Sequence, residues 1–135
     1  MDRPAHAGLR HVALHARDLD AMKRFYIDIL GFAVEWEPDP DNTYLSSGID
    51  NLALHRAAAQ PTGPTVRGNQ ALDHLGLIVR TPDDVDKWAA FLESRGVTLA
   101  AKPKTHRDGA RSFYFHDPDG NTIQIIHHPP ISSKI

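Results

Sequence analysis

Residues 9–14 read Leu-Arg-His-Val-Ala-Leu, and residues 72–77 read Leu-Asp-His-Leu-Gly-Leu. Each run is apolar and typical of a β-strand, and each carries a histidine in third place, His11 in the first and His74 in the second. A segment that recurs within one chain indicates a structural unit that recurs. The two runs therefore predict a protein built from two similar modules.

A helical segment follows each run. The first begins at Asp18, and the second begins at Thr81, where a threonine before a proline and two acids is a strong helix start. Apolar residues recur at helical spacing in both segments. Both segments end at a glycine, Gly31 or Gly96, which accepts the left-handed backbone of a helix C-terminus.

Three short strands are predicted after each helix, so that each module reads βαβββ. They cover residues 32–37, 43–46 and 51–56 in the first module, and residues 97–100, 110–116 and 121–127 in the second. The expected fold is α+β, with the two modules forming a cup-shaped mixed sheet. We expect a single domain over residues 1–135, with module one at about 8–57, a linker at about 58–70, module two at about 71–129, and a loosely held tail.

Composition excludes several classes of function. The chain has 135 residues and no cysteine, so thiolate chemistry is absent. Its net charge of −2, with acids and bases interspersed, argues against nucleic acid or an anionic membrane as the main partner. No apolar run approaches the length of a membrane span, and we expect a cytoplasmic protein. The nine histidines are many for this length and favour metal or proton chemistry, although several are expected to lie on the surface.

Several short segments resemble the glyoxalase I family and its relatives in the vicinal oxygen chelate superfamily. Residues 11–14, 18–19, 25–26 and 30–32 resemble the opening signature of that family. Residues 112–121 resemble its closing signature, including that of the fosfomycin-resistance enzymes. The resemblance implies the glyoxalase/bleomycin resistance/dioxygenase fold. It does not name an activity, because this fold carries isomerases, epimerases, dioxygenases, thiol transferases and metal-free drug-binding proteins.

The resemblance also implies where a metal would bind, on the first and last strand of each module. Those positions hold His11, His74 and Gln124, while the fourth is Ala53, which has no donor atom. The implied cofactor is a divalent ion (Fe, Mn, Ni, Zn or Co), held less tightly than by a set containing glutamate because all three ligands are neutral. The competing interpretation is that these side chains are hydrogen-bonded polar residues without a metal.

His55 stands two residues beyond Ala53 on the same strand face. It is the candidate catalytic residue, as fourth ligand or as general base, because imidazole exchanges protons near neutral pH. The alternative is a histidine at the rim of the site with no role. Tyr114 and Arg111 are candidate substrate-binding residues, against the alternatives of a half-buried strand tyrosine and a solvated arginine.

Two functions from different classes are open. The first is a divalent-metal-dependent enzyme acting on a small oxygenated molecule, either a glyoxalase-like lyase or isomerase or a dioxygenase. Glyoxalase I activity itself is disfavoured, because the family's glutamate base is replaced by Ala53 and Gln124. The second is a metal-free protein that binds a small drug-like ligand, resembling bleomycin resistance proteins. In either case we expect a homodimer that covers apolar residues such as Trp36 and Ile131.

Overall fold

The chain divides into two compact units. The computed structural model describes residues 1–3, 5–6, 9–58 and 72–135. The predicted linker lies outside the described residues, apart from its first position. The predicted cup and the single domain both concern the two modules together, and both stay predictions.

The first unit is a four-stranded sheet with one helical segment. Its elements are β1 (His11–Ala16), α1 (Leu19–Arg24), β2 (Ala33–Asp39), β3 (Asn42–Ser46) and β4 (Asn51–Arg56), and a π-helical turn, Phe25–Ile29, continues α1. The strand order in the sheet is β1-β4-β3-β2. Strand β1 runs parallel to β4, and the other pairs are antiparallel.

The second unit repeats this plan. Its elements are β5 (His74–Ile78), α2 (Pro82–Ser94), β6 (Leu99–Thr105), β7 (Arg111–His116), β8 (Thr122–His127) and a short terminal helix, α3 (Pro129–Ser132). The strand order is β5-β8-β7-β6, again with one parallel pair, β5 with β8. The two mixed sheets and the helices confirm the predicted α+β fold. No helix in the described part of the chain is long and apolar enough to cross a membrane.

The ends of the helices follow the sequence signals. Asp18 caps α1 by accepting a hydrogen bond from the backbone N–H of Ala21 at 3.0 Å. Thr81 and Asp84 form a reciprocal capping box at the start of α2. Gly31 and Gly96 have φ angles of +80° and +79°, the left-handed conformation that glycine adopts without strain.

One face of each sheet packs against the helix of its own unit. Fully buried side chains fill this layer: Leu19, Met22, Leu45 and Leu54 in the first unit, and Val85, Leu92, Phe113, Phe115, Ile123 and Ile125 in the second. Because side chains alternate along a strand, the residues between them lie on the opposite face. This opposite face, here called the polar face, carries His11, Tyr44, Ala53 and His55 in the first sheet and His74, Gly76, Tyr114 and Gln124 in the second.

The edge strands β2 and β6 are longer than the sequence predicted. Strand β2 continues through Pro38 to Asp39, and β6 continues through Pro103 to Thr105. Both strands are irregular at matching places, since the pairing shifts on either side of Trp36 in β2 and of Ala101 in β6. A proline is tolerated there because an edge strand has an unpaired side and a bulge relaxes the ladder.

The prediction of a loosely held tail was wrong for its first residues. Ser132 in α3 is buried, donates a hydrogen bond to the carbonyl of Val79 at 2.8 Å, and accepts one from the backbone N–H of His128 at 2.9 Å. The bond to Val79 fastens the tail to the chain that leaves β5, and the bond from His128 holds the Ser132 side chain within the tail. The sequence did not reveal them because Ser132 has no apolar pattern around it.

Candidate functional site

The second module brings three of the predicted site residues together on its polar face. Gln124 on β8 is the register partner of Gly76 on β5 and of Tyr114 on β7. Its side-chain amide, Nε2, donates a hydrogen bond to the Tyr114 hydroxyl at 2.9 Å. The ring of Tyr114 meets that of His74 edge-on, with the centroids 5.4 Å apart. His74, Tyr114 and Gln124 therefore form one contiguous polar cluster.

The hydrogen bond to Tyr114 orients the Gln124 amide. Because Nε2 faces the tyrosine, the amide oxygen Oε1 is directed towards β5, where it lies 3.7 Å from the position that a side chain on Gly76 would occupy. Glycine at this position leaves the oxygen uncovered on that side. No hydrogen bond to Oε1 is found among the described residues, so this oxygen is free to accept a hydrogen bond or to ligate a cation.

The imidazole of His74 is oriented by its neighbour. Its Nδ1 lies 2.6 Å from Oδ1 of Asp73, and a carboxylate only accepts hydrogen bonds, so Nδ1 carries the proton. The other ring nitrogen, Nε2, is left with its lone pair. A histidine whose Nδ1–H donates to a carboxylate is the usual arrangement of a metal-ligating histidine.

The first module orients His11 through a longer connection. Nδ1 of His11 lies 2.8 Å from Oδ1 of Asn51, its register partner on β4. Nδ2 of Asn51 donates in turn to Oε2 of Glu35 at 2.8 Å. Because the Glu35 carboxylate needs a donor, the amide nitrogen faces Glu35 and the amide oxygen faces His11. His11 therefore also carries its proton on Nδ1 and has Nε2 available.

The strand registers identify Ala53 as the counterpart of Gln124. Ala53 pairs with Tyr44 as Gln124 pairs with Tyr114. The alanine is fully buried and supplies no donor atom. The polar face of the first module therefore lacks, at this position, the oxygen that Gln124 provides in the second.

His55 lies on the same polar face, two residues beyond Ala53 on β4. Its register partner on β1 is His15. The His15–His55 pair lies four residues, or about 13 Å along the strands, from the His11–Asn51 pair. Nδ1 of His55 lies 2.6 Å from Oδ1 of Asn42, and the ring touches that of Tyr44 edge-on, with centroids 5.7 Å apart. The catalytic role of His55 stays a prediction.

Arg111 lies apart from this cluster. Its guanidinium forms a two-point ion pair with Asp86 of α2, with N···O distances of 2.9 and 2.7 Å, and a third bond to the Thr105 hydroxyl at 3.0 Å. Hydrogen bonding between the partners raises the pKa of Arg111 and lowers that of Asp86. The side chain is directed towards the helix, on the face opposite Tyr114, and it does not contact His74, Tyr114 or Gln124.

Sequence reasoning missed the residues that orient the histidines. Asp73 directly precedes His74 and was visible in the sequence, but adjacency alone does not predict a contact. Asn51 and Asn42 become partners of histidines only through strand register, which one sequence does not supply. No group of three or more His, Cys, Asp or Glu that could hold a metal ion occurs among the described residues, and Gln124 falls outside those residue types.

The sequence of the chain is similar to those of a known protein family. Residues 8–125 match the model of the Glyoxalase/Bleomycin resistance protein/Dioxygenase superfamily. The chain is 30% identical over 132 residues to the uncharacterized protein YaeR of Escherichia coli K12, covering 87% of this chain and 93% of that protein. It is 29% identical over 123 residues to biphenyl-2,3-diol 1,2-dioxygenase 3 of Rhodococcus globerulus, covering 87% of this chain and 61% of the dioxygenase.

Solved structures show the same fold. The crystal structure of lactoylglutathione lyase from Agrobacterium tumefaciens superposes with a TM-score of 0.75 at 23% identity, covering 92% of this chain and 96% of that one. At this identity the likeness concerns the fold alone. Together with the family match over most of the chain, it agrees with the two βαβββ modules described above. The chain belongs to the glyoxalase/bleomycin resistance protein/dioxygenase superfamily.

Proposed function

We propose that this protein is a divalent-metal-dependent enzyme that acts on a small molecule with adjacent oxygen atoms. The observation that carries the proposal is the cluster in the second module. His74 is fixed by Asp73 with Nε2 available, on the same polar face as the unpaired amide oxygen of Gln124. Histidine nitrogen and amide oxygen are both ligands for divalent transition metals.

The proposed ligands are His74 and Gln124, with His11 of the first module as the third. The fit is supported by the histidines, since each has Nδ1 bonded to an oxygen acceptor and Nε2 left as a donor to a cation. A bound Fe, Mn, Ni, Zn or Co ion would supply Lewis-acid polarisation of the substrate oxygens. The three ligands are neutral, so we expect modest affinity that increases if a carboxylate is introduced.

Tyr114 and His55 are the proposed substrate-facing groups. The Tyr114 oxygen accepts a hydrogen bond from Gln124, so its own O–H remains to donate to a substrate oxygen. Reactions that move a proton need a base, which neither Ala53 nor Gln124 provides. We assign this role to Nε2 of His55 in preference to metal ligation, because His55 stands about 13 Å from the His11 row.

The reaction is proposed to be either a lyase or isomerase step or a ring-cleaving dioxygenation. The dioxygenase relative acts, by its name, on a diol with neighbouring hydroxyl groups. A substrate of that type presents two adjacent oxygens to a metal and an acidic O–H to a base. Simple catechols and α-hydroxycarbonyl compounds are therefore the first substrates to assay.

Metal content tests the proposal. Protein freed of metal by chelation is loaded separately with each candidate ion, dialysed, and analysed by mass spectrometry for bound metal. We expect about one ion per chain for at least one metal. His74→Ala and His11→Ala should each abolish uptake, whereas the control His15→Ala, on the same strand as His11, should not. Uptake that survives in both variants would contradict the ligand assignment.

A second function is favoured by one observation. Ala53 offers no donor, and the Gln124 amide nitrogen is already satisfied by Tyr114. The alternative is thus a metal-free protein that binds a drug-like ligand on its polar faces, as bleomycin resistance proteins do. It predicts no retained ion for any metal together with bleomycin binding by calorimetry. Metal uptake without bleomycin binding would exclude it.

The proposed assembly is a homodimer. Trp36 is 59% exposed and Ile131 is 46% exposed, which leaves large apolar surfaces in contact with water. Symmetric pairing is the commonest way to cover such surfaces. Light scattering at micromolar concentration should give twice the chain mass of 15.0 kDa. A monomer at that concentration would contradict the assembly and leave the site proposal untouched.

A further inference from the structure

We propose that Asp39 and Asn42 are positioning residues that hold His55 in the tautomer with its proton on Nδ1. The consequence is that Nε2 is the proton-accepting atom of His55. The proposal rests on the role of His55 as general base. It adds Asp39, the last residue of β2, and Asn42, the first residue of β3, so that this role depends on the β2–β3 hairpin.

The first step is the orientation of the Asn42 amide. Its nitrogen Nδ2 lies 2.9 Å from Oδ1 and 3.0 Å from Oδ2 of Asp39. A carboxylate has no hydrogen to give, so the group facing it must be the amide nitrogen and not the amide oxygen. Asp39 therefore removes the ambiguity that an isolated asparagine side chain would have.

The second step is the tautomer of His55. With Nδ2 committed to Asp39, the amide oxygen of Asn42 faces Nδ1 of His55 at 2.6 Å. An amide oxygen only accepts, so Nδ1 must carry the proton. The ring nitrogen that is protonated in a neutral histidine is set by the bond that the other nitrogen makes. Nε2 is left with a lone pair.

The hairpin that carries Asp39 and Asn42 is itself held in place. The hairpin tip is attached to β4 by Arg56, whose Nε donates to Oδ1 of Asp41 at 2.8 Å and whose backbone N–H donates to the Asp41 carbonyl at 2.8 Å. Tyr44 packs edge-on against the His55 ring from the neighbouring strand. The ring is thus held both by its hydrogen bond and by an aromatic contact, and its Nε2 direction is fixed.

Asp39 also has a structural role that an experiment must separate. Its Oδ1 accepts a hydrogen bond from the backbone N–H of Asp41 at 2.8 Å, which stabilises the turn. Asp39→Asn keeps an oxygen for that turn bond. It loses only the property on which the inference depends, since an amide facing Asn42 can either donate or accept.

Nitrogen-15 NMR of the histidine rings at alkaline pH, on the full-length protein without added metal, measures the tautomer directly. In the unchanged protein the His55 ring should show the proton on Nδ1 alone. Asn42→Ala should convert this to a mixture of both tautomers, and Asp39→Asn should do so in part. A wild-type ring protonated on Nε2, or an unchanged Nδ1–H ring in Asn42→Ala, would overturn the proposal.

Two further variants keep the test independent of folding. The double variant Asp39→Asn/Asn42→Asp exchanges the amide and the carboxylate, so that the new carboxylate faces Nδ1 of His55 and accepts from the new amide; it should keep the single tautomer, which a merely structural effect would not do. Glu35→Gln acts on the Asn51–His11 pair and should leave the His55 signals unchanged. Mixed tautomers in the double variant, or altered His55 signals in Glu35→Gln, would contradict the assigned contacts.

The readout is independent of the proposed function. A single His55 tautomer in a protein that takes up no metal would leave this inference intact and remove the metal-dependent enzyme. Metal uptake that is lost in His74→Ala, together with mixed His55 tautomers in the unchanged protein, would support the metal-dependent enzyme and overturn this inference.

Discussion

The polar faces of the two modules share one backbone plan and use it differently. A tyrosine stands opposite the ligand position in both, Tyr44 opposite Ala53 and Tyr114 opposite Gln124. In the second module the tyrosine hydroxyl is bonded to the glutamine, whereas in the first its ring rests against His55. The first module has no donor atom at the ligand position and carries a histidine further along the strand.

The means of orienting the histidines differ in the same way. His74 is bonded to Asp73, its neighbour in sequence, whereas His11 and His55 are each connected to a carboxylate through an asparagine on an adjacent strand. The contact of His74 with a carboxylate requires only the adjacent residue. The contacts of His11 and His55 through an asparagine require the strands to pair in the correct register. The same scaffold thus supports short-range and long-range positioning of the same side chain.

The largest expected difference between the modules lies in their cores. Phe113 and Thr43 occupy matching positions, one residue before the paired tyrosines, and both are buried. Phe113→Ala should lower the free energy of unfolding by about 3–5 kcal/mol, because it empties a large buried volume. Thr43→Ala should cost only about 1 kcal/mol. Urea denaturation of the two variants measures both values, and equal losses would refute the asymmetry.

The ligand position gives the next effect. Gln124→Glu should strengthen divalent-metal binding by about tenfold or more, because it adds a negative charge to a neutral ligand set. The Tyr114 hydroxyl can donate to the new carboxylate in place of accepting from the amide. Titration calorimetry with the ion that wild-type protein retains measures the change. Unaltered affinity would show that residue 124 does not ligate the metal.

The two tyrosines provide a matched pair. Tyr114→Phe removes the partner of the Gln124 amide and should lower the free energy of unfolding by about 1 kcal/mol. Tyr44→Phe should leave it nearly unchanged, since the described residues offer its hydroxyl no hydrogen-bond partner. Thermal denaturation monitored by circular dichroism compares them. A larger loss in Tyr44→Phe would reverse the interpretation of the two faces.

The smallest effect concerns the helix starts. Thr81→Ala removes the α2 capping box and should cost about 0.5–1 kcal/mol. The Thr81 hydroxyl also lowers the pKa of Asp84 by donating to its carboxylate. A lowered folded-state pKa stabilises the fold at pH values above the ordinary pKa. This stabilisation is lost as the pH falls through the lowered value. The variant should therefore lose less stability on acidification than the wild type does.

The sequence was sufficient for the order of the elements that the two modules share, and it named two residues that lie in contact on the polar face. The limits of β4 and the glycines that end the helices agree with the predictions. Tyr114 and Gln124 were both chosen as site residues, and they are in contact. These features depend on local periodicity and turn chemistry, which a single sequence displays.

The remaining features depend on which residues face each other across strands. Arg111 was expected near a substrate, but its position on β7 directs it to Asp86 of α2, a residue far away in sequence. Asn51 was predicted only as the first residue of a strand and Asn42 lay outside the predicted strands, although each binds a histidine on a neighbouring strand. Register is set by bulges and hairpins whose effects accumulate along the chain, and hydrophobic pattern alone does not resolve them.

The paired irregularities of β2 and β6 have a consequence for the behaviour of the protein in concentrated solution. Each outer strand carries a proline, Pro38 or Pro103, within the stretch where its ladder is interrupted. An outer strand that is bent and lacks one N–H is a poor template for another copy to extend. Pro38 and Pro103 thus place the same obstacle to strand addition on β2 and on β6, one in each half of the chain.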